Sequence, residues 1–217
     1  DTDVAGGVVT GHYAYIISYV VRPGHMSVPR HRADGSLNSF RIRRLKYKLG
    51  TRSMASAEVD FEGAEAHEVG NFRDVVSVVL NTSRIYNAIF SSAAIQRCWR
   101  EARAYAKHRR AFGQAILGFP MVQRQIARLR VEAYASRSLT FYLANLSDQE
   151  VLSDQEQGAW RMLVNLNKFW TSVTATSCIR DAIEILGGNG AIEEFSVLPR
   201  LLRDSIVCEA WEGSHNV

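Results

Sequence analysis

The sequence has few cysteines and no long apolar run, the features that mark disulfide-rich, metal-binding and membrane-spanning proteins. It contains three cysteines in 217 residues, and Cys98, Cys178 and Cys208 are too scattered to form a metal-ligand pattern. Because a disulfide framework needs an even set of cysteines, neither a disulfide scaffold nor a metal site is predicted. A reducing intracellular compartment is the expected setting for such thiols. No run of about 18 apolar residues occurs, so no membrane-spanning helix is predicted.

The first residues lack both an initiating methionine and the features of a leader. The stretch D-T-D-V-A-G-G has neither the charged and apolar regions of a secretory signal nor the character of a transit peptide. We therefore expect an intracellular protein, in a bacterial cytoplasm or in a mitochondrial or peroxisomal matrix. We also expect this sequence to be a fragment or to contain gaps, because it begins in the middle of a motif.

The composition is that of an ordinary globular protein, with 47% hydrophobic and 22% charged residues. The net charge is only +4, but the positive residues are clustered. Such clusters suit polyanions, namely the phosphates of a nucleotide ligand or of a nucleic acid. Solvated helix and strand faces are the alternative interpretation. The first cluster is Arg41, Arg43, Arg44, Lys46, Lys48 and Arg52, and the second is Arg97, Arg100, Arg103, Lys107, Arg109, Arg110, Arg124, Arg128 and Arg130.

Residues 1–66 alternate between apolar and polar side chains, which is typical of strands in a small antiparallel sheet or barrel. Phe40, Ile42 and Leu45 are predicted to lie on the buried side of their strand. The predicted strands are Tyr13 to Val21, Met26 to Val28, Phe40 to Lys48 and Ala55 to Phe61.

From Phe72 onward the apolar residues recur with a helical period. Pro120 suits the first turn of a helix and Ser153 suits an N-cap. The predicted helices run from Phe72 to about Arg109, from Pro120 to near Asn145, from Ser153 to Leu186, and from Leu198 to Asp204. Their predicted buried faces are Val75, Val79, Tyr86, Ile89 and Ala93, then Val122, Ile126, Leu129 and Ala133, then Met162, Leu166, Phe169 and Val173. We therefore predict two domains, a β domain over 1–66 and a helical bundle over 67–217.

The C-terminal stretch carries the residues best suited to chemistry. Gly187, Gly188 and Gly190 break a long helical pattern, and such glycines let a ligand or another backbone approach closely. Glu212 lies between Trp211 and Gly213, where a carboxylate can be desolvated and serve as a general base. A helix C-cap followed by a solvent-facing glutamate in a turn is the alternative interpretation.

Three motifs together resemble one family. They are R-x-x-F-G at 109–113, L-G-G-N-G at 186–190 and W-E-G-S at 211–214. Their order and spacing are similar to those of the C-terminal half of the flavin-dependent acyl-CoA dehydrogenases. The resemblance implies an α+β fold, in which a partial antiparallel middle β domain is followed by an antiparallel four-helix-type bundle. It also implies that the family's N-terminal helical domain is missing from this sequence.

One branch of the family, the alkylation-response AidB-like proteins, resembles this chain over roughly residues 27–217. Most family members have Gln at the position of Glu184, whereas this branch has Glu. The branch is also similar in the pattern R-L-K-x-K-L-G-x-R-S-x-A-S from Arg44 to Ser56, in L-P-R-L-L-R, and in W-E-G-S where Y-E-G-T is commoner.

The resemblance implies that Glu212 abstracts the α-proton of a bound acyl-CoA while the β-hydrogen leaves as hydride to FAD. Gly213 would then lie against the thioester. Residues implied to touch the flavin are Ser214 and Asn216 near the C-terminus and Thr2 in the D-T-D-V-A-G stretch, which is similar to a flavin loop of the family. For His215 we favour an exposed position without a role.

Further residues are implied to bind the adenosine and pyrophosphate part of FAD. Arg109 and Phe112 would contact the FAD of a neighbouring subunit, and Glu184, Gly187 and Gly188 would line its nucleotide part. A homo-oligomer, either a dimer or a tetramer, follows from that arrangement. For Arg109, a favourable position at a helix C-terminus is the alternative interpretation.

Substrate contacts are implied at Asn81 and Arg84, where the first long helix of the family meets CoA. For Arg84, a salt bridge within the bundle is the alternative. The resemblance predicts α,β-dehydrogenation of a short or branched acyl-CoA, with an electron-transfer flavoprotein as acceptor. A second function stays open, that of an AidB-like flavoprotein that binds DNA through its basic surface and has weak dehydrogenase activity.

Overall fold

The computed structural model describes residues 3–10, 13–21, 24–71, 75–149 and 153–215 of the chain. Two compact units divide them between Leu80 and Asn81. The first unit is a β domain and the second a helical bundle, which confirms the predicted fold class. The predicted domain boundary at residue 66 stays a prediction, since the first unit continues to Leu80.

The β domain is built on one antiparallel sheet of six strands, in the order β4-β5-β1-β2-β3-β6. Irregularities interrupt the register between β1 and β2 and between β4 and β5. The sequence predicted four of these strands and missed β1 and β6. The strands are β1 (Asp3–Thr10), β2 (Tyr13–Val21), β3 (Gly24–Val28), β4 (Phe40–Leu45), β5 (Ser56–Phe61) and β6 (His67–Asn71).

Strand β4 corrects the prediction about its buried side. Ile42 is 39% and Leu45 is 59% exposed, so neither belongs to a core in this chain. β4 is an edge strand of the sheet, and an edge strand in this unit has a neighbour on one side only. Its arginines pair with acids of β5: the distance from Arg43 Nε to Asp60 Oδ2 is 2.6 Å, and that from Arg44 Nη2 to Glu58 Oε1 is 2.8 Å.

The described residues of the bundle form four α-helices, and two of them match the predicted bounds closely. A two-stranded hairpin connects the first helix to the second, and a 3-10 turn over Gly187–Ala191 follows the third. The helices are α1 (Asn81–His108), α2 (Pro120–Ser147), α3 (Asp154–Leu186) and α4 (Leu198–Ala210).

Local sequence explains where the helices begin. Before α1, a π-helical turn covers Val75–Leu80, a valine-rich segment whose β-branched residues have a lower preference for a regular α-helix. At the start of α3, the Ser153 side chain accepts from the backbone N–H of Glu156, whose carboxylate accepts from the N–H of Ser153. This capping box satisfies two backbone donors and confirms the predicted N-cap.

The bundle core consists mainly of small residues where α1 meets α3. Ala94, Cys98, Ala102 and Ala106 of α1 are buried, and Ala175, Cys178 and Ala182 of α3 form the same cluster. Small side chains let the two helix backbones come close. The core is then completed by larger residues of α2 and α4, among them Ile126, Leu129 and Leu198.

This packing corrects two of the three predicted helix faces. On α1, Tyr86 and Ala93 are exposed, and so is Val79 in the turn before it. On α3, the predicted residues are also exposed, with Phe169 at 47%. The prediction followed the largest apolar side chains, whereas the buried faces carry Ala, Ser, Thr and Cys. On α2 the prediction is confirmed, since Ile126, Leu129 and Ala133 are buried.

Candidate active site in the helical bundle

Glu212 lies in a tight turn directly after α4. The helix ends at Ala210, and the N–H of Trp211 still donates to Val207 O. Glu212 then has φ of +54° and Gly213 has φ of +109°. A left-handed backbone is ordinary for glycine but rare for glutamate, and it persists only where the surroundings hold it. The left-handed backbone of Glu212 is therefore expected to depend on contacts with neighbouring side chains.

Two residues of α1 support this turn. Asn87 Nδ2 donates to Glu212 Oε2 at 3.0 Å and to Cys208 O at 2.9 Å. Arg84 Nε donates to the backbone carbonyl of Glu212 at 3.2 Å. Arg84 thus contacts the turn through a backbone carbonyl. This contact is not the salt bridge within the bundle that was the alternative interpretation for Arg84. Asn81, the other predicted substrate residue, is buried in the first turn of α1.

A lysine from α3 reaches the same turn. Lys168 is 4% exposed, and its Nζ donates to Glu209 O at 2.8 Å and to Gly213 O at 2.9 Å. Burial lowers the pKa of Lys168, and the Glu212 carboxylate opposes that shift. Burial, followed by the negative charge of Glu212, raises the pKa of the Cys208 thiol to about 12. Cys208 is therefore an inert core residue beside the site and not a nucleophile.

The residues after Gly213 continue the site. Ser214 is exposed, and His215 is half-buried against Phe169, with ring centroids 4.8 Å apart. The His215 Nε2 lies 3.3 Å from Ser172 Oγ. The expectation of an exposed His215 was therefore wrong, because the aromatic ring of Phe169 gives it a packing partner. Thr2 and Asn216, predicted to touch the flavin, lie outside the described residues.

A hairpin between α1 and α2 carries the next predicted group. Its strands are β7 (Arg110–Ala111) and β8 (Gln114–Ala115). Phe112 at its tip is 97% exposed and has φ of +50°, which is again a left-handed backbone at a non-glycine residue. Arg109 is exposed at its base. The Phe112 ring packs edge-on against Phe119, with ring centroids 6.3 Å apart.

The glycine loop lies beside that hairpin. The side-chain amide of Asn189 donates to Tyr105 Oη at 3.2 Å, and Tyr105 O accepts from the N–H of Arg109 at 2.8 Å. Gly187 and Gly188 are exposed, and a Cβ on either would meet open space. Gln125 Nε2 donates to the exposed Glu184 carboxylate at 3.3 Å. The structure thus brings the Arg109 hairpin and the glycine loop together at one end of the bundle.

No group of three or more His, Cys, Asp or Glu side chains that could hold a metal ion occurs among the described residues. Both acids beside the turn have hydrogen-bond donors. The backbone carbonyl of Glu209 accepts from Lys168 and its carboxylate from Thr176. The carboxylate of Glu212 accepts from Asn87 and its backbone carbonyl from Arg84. The side chains of this end are therefore joined by hydrogen bonds.

Residues 72–217 match the family described as acyl-CoA dehydrogenase, C-terminal domain. This chain belongs to the acyl-CoA dehydrogenase family. Acyl-CoA dehydrogenases are flavoprotein oxidoreductases that act on CH–CH bonds.

Two relatives agree with the predicted AidB-like branch. Acyl-CoA dehydrogenase family member 11 of Caenorhabditis elegans is 35% identical over 190 residues, which cover 85% of this chain and 31% of that protein. The putative acyl-CoA dehydrogenase AidB of Escherichia coli K12 is 34% identical over 194 residues, which cover 88% of this chain and 35% of that protein. The chain thus spans about a third of the length of these relatives.

A solved structure supports the same assignment. Caenorhabditis elegans ACDH-11 in complex with C11-CoA has a TM-score of 0.80 and 32% identity to this chain, over 89% of this chain and 33% of the other. The acyl-CoA dehydrogenase resemblance inferred from three motifs is therefore confirmed. No helix in the described parts of the chain is long and apolar enough to cross a membrane.

Sequence reasoning missed two residues that hold the Glu212 turn, Asn87 and Lys168. A signal was present for both. Asn87 follows Arg84 by three residues, so the two side chains share one face of α1. Lys168 follows Val164 by four residues and precedes Ala175 by seven, and both of those are buried. A lysine at a core-facing position is uncommon without a partner, which points to a specific role.

Proposed function

We propose that this chain carries the catalytic end of an FAD-dependent acyl-CoA dehydrogenase that converts a short or branched acyl-CoA to the 2-enoyl-CoA. The observation that carries the proposal is the turn at Glu212, in which a half-buried carboxylate with a left-handed backbone is held by Asn87 and Arg84. A solvent-facing glutamate in an ordinary turn would need neither support. The family membership supplies the reaction class.

Glu212 acts as the general base in this proposal. One oxygen, Oε2, is engaged by Asn87, so Oε1 is the atom that would receive the α-proton of the thioester. The electron pair of that C–H bond forms the new double bond, and the β-hydrogen leaves with its own electron pair. The carboxylate gains one proton, and the substrate loses two electrons and two hydrogens. FAD, when bound, supplies the acceptor for the β-hydrogen.

The glycine-loop end of the bundle fits a dinucleotide. Gly187 and Gly188 offer exposed backbone without side chains, so a pyrophosphate or ribose can approach it closely. Arg109 offers a guanidinium for phosphate, and Phe112 a flat ring for an adenine. The carboxylate of Glu184 suits hydroxyl or amine donors and not a phosphate. We propose that these five residues hold the nucleotide part of FAD.

The two ends of the bundle support a homo-oligomer. α1 continues from Arg84 to His108, a distance of about 36 Å at 1.5 Å per residue. One dinucleotide is too short to reach from Glu212, beside Arg84, to Arg109, beyond His108. The two ends of one chain therefore serve two FAD molecules, so a second copy must complete each site. The exposed ring of Phe112 is suited to that contact.

A reduced flavin must be reoxidised, and we propose an electron-transfer flavoprotein as the acceptor. The acyl-CoA ligand class has support from the Caenorhabditis elegans relative, which was solved with C11-CoA. A test series of thioesters should therefore include butyryl-, isovaleryl- and undecanoyl-CoA.

The first test is the absorbance spectrum of the purified protein, supplemented with FAD, before and after an acyl-CoA is added. We expect the blue flavin band to bleach with at least one thioester of the series, and butyryl- or isovaleryl-CoA to be most effective. Free CoA is the matched control, since it has the phosphates but no α-proton. A flavin band that every thioester leaves unchanged would refute the dehydrogenase proposal.

A second candidate function, DNA binding, is favoured by one cleft between α1 and α2. It has a volume of about 870 Å³ and is lined by two aromatic and two cationic residues, Trp99, Tyr134, Arg103 and Arg130, among others. The Arg130 guanidinium lies 5.7 Å from the centroid of the Tyr134 ring. Arginines interleaved with aromatic rings are typical of surfaces on which nucleic acid bases stack.

The first basic cluster supports DNA binding less well, because Arg43 and Arg44 pair with acids of β5. If the cleft binds DNA, replacing Arg103 and Arg130 by Ala should lower the slope of log affinity against log salt by about 2, since each phosphate contact releases counterions. Arg41→Ala and Arg43→Ala together form the matched control. Equal slopes for the two double variants would exclude the cleft as the binding surface.

A further inference from the structure

Lys168 is buried on α3 and is the cation that contacts the backbone on both sides of Glu212. Its Nζ lies 2.8 Å from Glu209 O and 2.9 Å from Gly213 O. Glu209 belongs to the last turn of α4, and Gly213 is the residue directly after Glu212. One ammonium group therefore links the end of the helix to the turn that follows it.

Helix α4 needs such a partner at its end. The last carbonyls of an α-helix have no donor within the helix, and a cation there interacts favourably with the helix dipole. The Lys168 ammonium supplies both a hydrogen-bond donor and a positive charge at Glu209 O. It then uses a second N–H for Gly213 O, which lies outside the helix. The position of the turn relative to α4 is consequently set by a side chain from another helix.

The turn itself needs to be held, because Glu212 and Gly213 both have left-handed backbones. Arg84 holds the Glu212 carbonyl and Asn87 holds one carboxylate oxygen. These two contacts act on Glu212 directly. Lys168 instead contacts Glu209 and Gly213, which lie before and after Glu212 in the chain. Lys168 belongs to α3, whereas Arg84 and Asn87 belong to α1. The direction of the Glu212 carboxylate thus depends on α1 and α3 together.

We propose that Lys168 is a positioning residue for the Glu212 base, and that it holds the turn after α4 in the orientation that lets the carboxylate reach the α-proton. The inference rests on the proposed dehydrogenase function. The titratable groups that act electrostatically on Lys168 are Glu212, Cys208 and Glu209, which favour its charged form, and Arg84, which opposes it.

Lys168→Met tests this inference, because methionine fills a similar volume without donating a hydrogen bond. We expect amide hydrogen exchange at residues 211–214 to become about tenfold faster, since two charge-assisted hydrogen bonds are lost. In the FAD-loaded protein, the rate of flavin reduction at saturating acyl-CoA should fall about 10- to 100-fold, with the half-saturating concentration changed less than about threefold. Lys168→Gln, which keeps one donor pair, should recover part of that rate.

Val164→Ala is the matched control, since Val164 is buried one turn earlier on the same helix and its apolar side chain has no hydrogen-bond donor for the turn. If Val164→Ala slows flavin reduction as much as Lys168→Met does, or if Lys168→Gln is no faster than Lys168→Met, the positioning role is refuted. Should the wild-type protein fail to reduce flavin with any thioester, the proposed function is refuted. Amide exchange then still decides whether Lys168 holds the turn, and equal exchange in Lys168→Met would refute that as well.

Discussion

Glu212→Gln should lower the rate of flavin reduction by acyl-CoA about 10³-fold while the protein keeps its yellow colour. A glutamine retains the oxygen that accepts from Asn87 Nδ2, so the turn is expected to stay in place. It cannot, however, take up a proton from the substrate. Removing a positioned general base typically costs a factor of about 10² to 10⁴. Stopped-flow absorbance at the flavin band measures the loss.

Glu209→Gln is the matched control for that experiment. Glu209 lies three residues earlier on α4, and its carboxylate accepts from Thr176 Oγ1 instead of facing Asn87. The expected change in the flavin reduction rate is small. If both variants lost the reaction equally, the effect would come from the charge of the region and not from one base. If Glu212→Gln bleached as fast as the wild type, another group would have to remove the proton.

Gly190→Ala should destabilise the bundle by about 2–3 kcal/mol. A Cβ at this position would lie 2.5 Å from Ile183 O and 2.9 Å from Ile183 Cα, both of which are backbone atoms of α3. Backbone atoms cannot rotate away as a side chain can, so the loop or the helix end would have to move. Urea unfolding followed by circular dichroism at 222 nm measures the change in the free energy of unfolding.

Gly188→Ala is its control, two residues earlier in the same loop. A Cβ there meets nothing within 4 Å, and Gly188 is exposed. The free energy of unfolding should change by about 0.5 kcal/mol or less, as is usual at surface positions. A loss in Gly188→Ala as large as that in Gly190→Ala would mean that the loop tolerates no side chain at all, and that close packing on Ile183 is not the reason for Gly190.

The order of the long helices and the bounds of α2 and α3 could be predicted from the sequence. Pro120 and the Ser153 capping box mark helix starts by local chemistry, which does not depend on the rest of the fold. The buried faces of α1 and α3 could not be predicted, because their interface uses small and polar residues. On α1, for example, the buried Ser92 donates through Oγ to Ser136 Oγ of α2, and a buried serine adds nothing to a hydrophobic period.

The candidate site divides in the same way. Glu212 could be found because a motif marks it. Its supporting residues could not, since Asn87 and Lys168 lie 125 and 44 positions away and only the packing of α1, α3 and α4 brings them to the turn. Ile42 and Leu45 show the opposite case, in which a clear strand period does not lead to burial, because the strand lies at the edge of its sheet.

The small-residue interface between α1 and α3 has a mechanical consequence. The two helices pack through Ala94, Cys98 and Ala102 of α1 and Ala175 and Ala182 of α3. Because small side chains separate them, we expect α1 and α3 to move together as one rigid pair. Arg84 and Lys168 lie toward one end of this pair, and the hairpin and the glycine loop lie at the other. A displacement of the glycine-loop end would therefore tilt both helices as a whole and move the other end, instead of bending one helix locally.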